Sequence, residues 1–202
     1  MNIGVLGGTF DPIHIGHLMI AEGVRVQLGL TEILFVPAGQ PWLKANNQIS
    51  ATEHRIQMVR LAIADKPYFR LSTMETERAG PSFTVDTIGE LQGQIDAGDK
   101  LFFILGWDIL LQLPQWHEPQ RLVKMCSLVA VPRVGYPTPD LSDLEAAIPG
   151  LSESTILLNT PQIDISASGV RGRVAQGLSI QNLVPEPVEN YIKQHRLYVS
   201  PK

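Results

Sequence analysis

Cysteine occurs once among the 202 residues, at Cys126, so no disulfide can form within the chain. It lies in the apolar stretch Met125-Cys126-Ser127-Leu128-Val129-Ala130-Val131, which suits a buried structural thiol better than a nucleophile. Neither sign of charge dominates: 16 Lys plus Arg face 20 Asp plus Glu, for a formal net charge of -4. That balance offers no broad electrostatic footprint for nucleic acid. No basic amphipathic segment recommends a membrane surface, and no apolar run approaches the length that spans a bilayer. Met1 leads directly into an apolar segment, without the charged region and apolar core of a secretory signal. A cytoplasmic protein without nucleic-acid or membrane partners is expected, and a homo-oligomer is left open. Two common glycine-loop fingerprints are missing too. The chain reads Gly4-Val5-Leu6-Gly7-Gly8, which is neither G-x-G-x-x-G nor a phosphate loop ending in Gly-Lys-Ser/Thr.

What is present is enough apolar residue, 44% of the chain, for one domain with a sizeable core, expected over residues 1–202. Apolar, β-branched segments recur at Ile3–Leu6, Glu32–Val36, Leu101–Leu105, Leu128–Val131 and Thr155–Leu158. A short strand is expected at Tyr68–Leu71. Helical patterns lie between them: Gly16 to Leu28, a segment through His54, Met58, Leu61 and Ile63, Thr84 to Ile95, and Glu186 to His195. Ser50 and Glu53 have the spacing of a capping box for the second of these. Strands alternating with helices argue for a mostly parallel sheet covered on both faces.

Such sheets bind ligands beyond the carboxyl ends of their strands. Three post-strand loops qualify: Gly7 to His17, Pro37 to Lys44, and Gly106-Trp107-Asp108. The first is the most informative, reading Gly7-Gly8-Thr9-Phe10-Asp11-Pro12-Ile13-His14-Ile15-Gly16-His17. Its glycines let backbone approach a ligand, and its histidines fall where a helix start favours an anion. A second cluster, Ile165-Ser166-Ala167-Ser168-Gly169-Val170-Arg171, opens a late helix with a capping serine and an arginine one turn on.

Each feature also has a plain structural reading. His14 and His17 either face one ligand or cap and pack the start of the first helix. Zinc would need a further protein ligand, and Cys126 falls in an expected strand core. Asp11 beside Pro12 suits a turn. Arg171 and Arg173 fit a capped surface helix as well as a phosphate site. Lys44 is either a solvated loop charge or a cation reaching a polyphosphate, and Trp116 either an anchor in the core or a platform for a planar ring.

Together the two clusters resemble the signatures of bacterial nicotinate-nucleotide adenylyltransferases, in the HxGH nucleotidyltransferase superfamily. Ala167 and Val170 depart from the commonest spelling of the second signature. Three middle segments are similar to the family's nicotinate-nucleotide pattern: Glu77 to Thr87, Gly106-Trp107-Asp108, and Leu113-Pro114-Gln115-Trp116-His117. His117 stands where other members often carry Phe or Tyr. The resemblance covers nearly the whole chain and implies transfer of AMP from ATP to nicotinate mononucleotide, with Mg²⁺ on the polyphosphate.

The resemblance also implies roles. His14, His17, Lys44 and Arg171 would act on the phosphates. ATP would meet Gly7, Gly8, Thr9, Phe10, Gly106, Asp108, Ile165 and Ser168 in addition. The mononucleotide would meet Thr9, Lys44, Thr84, Trp116 and His117, with Trp116 stacked on the pyridine ring and backbone N–H groups near Thr84 and His117 on its carboxylate. No protein metal site is implied. A nicotinamide-mononucleotide or dual-specificity enzyme is the nearest alternative, and a regulatory nucleotide binder without turnover is the alternative of another class. The expected fold is an α/β, Rossmann-like open sheet in the order 3-2-1-4-5, with another short strand near Thr155, helices on both faces and a small C-terminal helical portion.

Overall fold

The computed structural model of the chain describes residues 1–40, 49–160 and 163–199. Strand β1 (Asn2–Gly8) leads to helix α1 (Ile15–Leu28), β2 (Glu32–Pro37), α2 (Thr52–Ile63) and β3 (Phe69–Leu71). The short α3 (Met74–Glu77) and α4 (Thr84–Gln92) precede β4 (Lys100–Gly106) and α5 (Trp107–Leu110). A 3-10 turn (Leu113–Gln115) and α6 (Pro119–Met125) lead to β5 (Ser127–Val131). Then come α7 (Ser142–Ala147), α8 (Leu151–Ser154), β6 (Thr155–Leu157), α9 (Ala167–Ala175) and α10 (Glu186–Gln194).

The strands form one sheet in the order β3-β2-β1-β4-β5-β6, with every neighbouring pair parallel. This is the expected order, with the additional strand paired beside β5. Central β1 registers Val5 against Leu34 of β2 on one side and Phe103 of β4 on the other. Both faces of the sheet are covered, which explains the nearly continuous apolar strands. Alternate side chains enter different cores. Ile3, Val5, Leu101, Phe103 and Leu128 pack with Ile88 of α4 and Leu122 of α6. Leu6, Phe102, Ile104 and Val129 pack with Ala21 of α1, Met58 of α2, Val170 of α9 and Val188 of α10. The strand order reverses at β1 and β4, which remain parallel, so a crevice opens at their carboxyl ends. No described helix is long and apolar enough to cross a membrane.

Three local expectations need correction. The capping box at Ser50 and Glu53 does not form: α2 begins at Thr52, and its N-cap is Ala51. Tertiary contacts claim Ser50 instead, its N–H donating to Asp11 Oδ2 and its carbonyl accepting from Arg55 Nε. Helix α4 stops at Gln92 because Gly93 caps it, short of Ile95. Cys126 caps α6 just ahead of β5 rather than lying within the strand. It is buried, and that burial pushes its thiol up to about 12, in keeping with an inert structural group.

Candidate active site

The loop after β1 is built to hold two imidazoles. Phe10 takes a left-handed backbone, φ 51°, and its ring is buried against the core. The ring edge meets His17 with centroids 5.1 Å apart, so Phe10 forms a wall behind the histidine. His14 is the extended N-cap of α1, and its backbone N–H donates to His17 Nδ1 at 3.2 Å. A neutral His17 therefore keeps its proton on Nε2, which makes that atom a donor. The two rings stack with centroids 3.7 Å apart. Gly16 makes room for this pair. A Cβ there would stand 3.0 Å from His14 Nδ1.

His14 is only 5% exposed, and its Nδ1 is buried without a hydrogen-bond partner among the described residues. Burial first, then the positive charge of Arg133, lowers its pKa to about 4. The unfolded chain, titrating near 6.5, thus binds a proton that the folded ring refuses between those values. The folded state should lose roughly 3 kcal/mol as pH falls from about 6.5 towards 4, at 1.36 kcal/mol per unit. Buried Glu75 works in the opposite sense, because burial raises its carboxyl. Urea unfolding at pH 7 and 4.5 in wild type and His14→Gln isolates the imidazole. The variant should lose less stability on acidification, and an unchanged loss would refute the assignment.

The second cluster meets the first. Ser166 caps α9, its Oγ accepting the Gly169 N–H at 3.1 Å. Ser168 Oγ lies 3.3 Å from Ser166 Oγ. Arg171 Nη1 donates to the Asp11 carbonyl at 2.6 Å, across 160 residues of sequence. Between the clusters is a cavity of about 420 Å³ whose wall includes Thr9, Phe10, His14, His17, Arg133, Ile165, Ser168 and Arg171. Imidazoles, hydroxyls, guanidinium groups and a helix start are donors, and a site of this composition suits an anion. Asp11 also borders it, but its carboxylate takes the Tyr198 hydroxyl on Oδ1 and the Ser50 N–H on Oδ2. Among the described residues no group of three His, Cys, Asp or Glu side chains stands together as a metal cage.

Gly7 and Gly8 end β1 just ahead of the wall residues Thr9 and Phe10, without forming the wall themselves. Gly106 is the N-cap of α5, and Asp108 lies in its first turn. A Cβ at Gly106 would come 2.4 Å from Asp108 Oδ1, so only glycine lets that carboxylate fold back. Asp108 Oδ2 is 4.0 Å from Arg133 Nε, which connects it to the cavity. Arg133 belongs to none of the motifs singled out from the sequence. Its place directly after the fifth strand was the available signal.

Thr84, Trp116 and His117 gather at a separate place. Thr84 is the first residue of α4, and the Phe83 ring preceding it stacks on His117 with centroids 4.3 Å apart. Trp116 is half-buried, its ring edge-on to Phe103 and its Nε1 without a hydrogen bond among the described residues. The loop after β2 is clipped to this region, since the Gly39 and Gln40 amides both donate to Ser82 Oγ, at 2.9 and 3.2 Å. Lys44 lies outside the described residues.

Two further groups escaped the sequence reading. Arg55 of α2 is 1% exposed and donates to the carbonyls of Ser50, Thr9 and Ala38 and to Thr52 Oγ1. It thereby joins the loops after β1 and β2. Tyr198, beyond α10, reaches Asp11 from the opposite end of the chain.

The model of the cytidylyltransferase-like family matches residues 5–173. A probable nicotinate-nucleotide adenylyltransferase of Dehalococcoides mccartyi (strain CBDB1) is 49% identical over 198 residues, 98% of this chain and 97% of the relative. One from Roseiflexus sp. (strain RS-1) is 46% identical over 196 residues, 97% of each chain. Among solved structures, the Plasmodium falciparum nicotinic acid mononucleotide adenylyltransferase complexed with NaAD superposes with a TM-score of 0.79. That match covers 98% of this chain and 97% of the other at 21% identity, a likeness of fold. With the histidine pair, the capped serine cluster and full-length relatives in agreement, the chain belongs to the nicotinate-nucleotide adenylyltransferase family of the HxGH nucleotidyltransferases.

Proposed function

We propose that the chain, as a single nucleotidyltransferase domain over residues 1–202, transfers AMP from ATP to nicotinate mononucleotide, releasing pyrophosphate. The observation that carries this reading is the donor-lined cavity between the histidine loop and the α9 N-terminus. An oxygen of the acceptor's 5′-phosphate attacks the ATP α-phosphorus, and the bond from that phosphorus to the bridging oxygen of pyrophosphate breaks. The attacking oxygen is already anionic, so no side chain need remove a proton. The work is alignment and compensation of charge on the departing pyrophosphate.

In this reading His17 Nε2 donates to the reacting phosphate, while neutral His14 supports it and contributes its own ring to the wall. Arg171, Ser168 and the α9 amides hold the outer phosphates, with Arg133 adding charge and Lys44 assisting. Backbone at Gly7, Gly8, Thr9 and Phe10 accommodates the nucleotide, Ile165 packs beside it, and Asp108 at Gly106 accepts from its ribose. The donor set fits a polyphosphate better than a bare cation. Mg²⁺ would therefore be held by phosphate oxygens and water, where it neutralises their charge.

At the acceptor, Trp116 offers a face to the pyridine ring, and Thr9 and Lys44 are assigned to its phosphate. Amides at Thr84, the start of α4, and at His117 receive the ring carboxylate. A hydrogen bond to a charged group contributes about 1.5–3 kcal/mol. The acid should accordingly exceed the amide in kcat/KM by roughly ten- to a hundredfold. The test is pyrophosphate release and dinucleotide formation from ATP and Mg²⁺ with each mononucleotide in turn. No product from either would reject adenylyl transfer, and equal values would reject acid selectivity alone.

A further inference from the structure

Asp11 stands in the histidine loop, yet its polar atoms are engaged by three distant segments. Oδ2 accepts the Ser50 N–H just ahead of α2 at 3.1 Å. The backbone carbonyl accepts Arg171 Nη1 from α9 at 2.6 Å. Oδ1 accepts the Tyr198 hydroxyl at 2.6 Å, from 187 residues away. Asp11 itself is 3% exposed. Beneath it, Arg55 fixes the carbonyls of neighbouring Thr9 and of Ser50, and the Asp11 charge helps offset the buried guanidinium.

The C-terminal segment takes an unusual path to make this contact. Arg196 and Tyr198 both adopt positive φ, 50° and 64°, a region that L-residues enter at some cost. The result turns the phenol inward over Met58, where burial and the bond to Asp11 push its ionisation far up. Tyr198 is thus held as a neutral donor to a buried carboxylate, and it does not border the donor-lined cavity. Its hydrogen bond to Asp11 ties it to the histidine loop, and its hydroxyl also lies near Ser50 and Arg171.

We propose that Tyr198 and Asp11 are a positioning pair: the phenol–carboxylate bond sets the Asp11 carbonyl, and through it Arg171 and the turn entering His14. This rests on the reading of the cavity as the ATP phosphate site. Misplacing groups around a reacting centre by an ångström can cost up to about a hundredfold in rate. Tyr198→Phe removes one hydroxyl and retains the ring. It should lower kcat/KM for ATP by about ten- to a hundredfold and raise KM for the mononucleotide much less, because the ring contacts at Thr84, Trp116 and His117 belong to other loops and only Thr9 shares the loop of Asp11.

Asp11→Asn provides an independent probe of the same contact, since one amide cannot accept from both Tyr198 and Ser50. The double variant should lose clearly less than the two single losses combined, because both substitutions break the same phenol–carboxylate contact. Rates are referred to the folded fraction from circular dichroism, and calorimetry of ATP binding accompanies them. A lowered melting temperature with unchanged constants per folded molecule would make Tyr198 merely structural and overturn the proposal. So would equal losses for ATP and mononucleotide, or additive losses in the double variant. If wild type binds ATP without turnover, the adenylyl-transfer reading fails, and weakened ATP binding by Tyr198→Phe still tests the pair.

Discussion

Replacing His17 by alanine should lower kcat by about 10²–10³-fold, the usual effect of deleting one preorganised donor at a reacting centre. Folding stability should change far less. The ring is half-buried, and it accepts a hydrogen bond from the His14 N–H. Losing such a bond at a helix start costs about 0.5–2 kcal/mol. The asymmetry follows from tautomer control. The backbone uses Nδ1, which leaves the proton of the neutral imidazole on Nε2. Single-turnover kinetics beside urea titrations would measure both quantities. A variant with wild-type kcat would remove His17 from the chemistry, whatever happened to stability.

Arg55→Met should do the reverse and strike the fold first. Methionine approximates the aliphatic stem but strands the Thr9, Ala38 and Ser50 carbonyls, which receive the guanidinium in a site 1% exposed. A stranded buried acceptor costs about 1–3 kcal/mol. Part of this is recovered because a buried charge, already disfavoured by desolvation, has been removed. A net loss of about 3–5 kcal/mol is expected, comparable to breaking a buried charged pair. In a chain of this length that corresponds to a melting temperature lower by roughly 10 °C. Arg55→Lys, which keeps the charge and can reach some of the carbonyls, should lose less. Thermal and denaturant unfolding of both variants decide the matter. A methionine variant as stable as wild type would mean that these loops do not depend on the arginine.

Much of the architecture was legible because its causes are local or periodic. Apolar runs marked the strands, the serine ahead of α9 marked its cap, and alternation with helices implied parallel pairing. The histidine and serine–arginine clusters were legible as chemistry, and the structure brings them to one cavity. Arg55 was invisible for a physical reason. On the periodic pattern it is one more polar residue of an amphipathic helix, and its partners lie as far as 46 positions away. Tyr198 is an extreme case of the same kind. The failed Ser50 cap shows tertiary demand overriding a correct local motif, since Asp11 and Arg55 compete for the same backbone groups.

The burial of Cys126 has a practical side. Its thiol is withdrawn from solvent and strongly disfavoured as thiolate, and the chain contains no other. Towards thiol-directed dyes and spin labels the native molecule is therefore a blank background. A cysteine introduced at an exposed position such as Met19 would take up label alone, without first deleting the native residue. Distances from that point to a fluorescent nucleotide could then be followed in a molecule whose interior had not been altered.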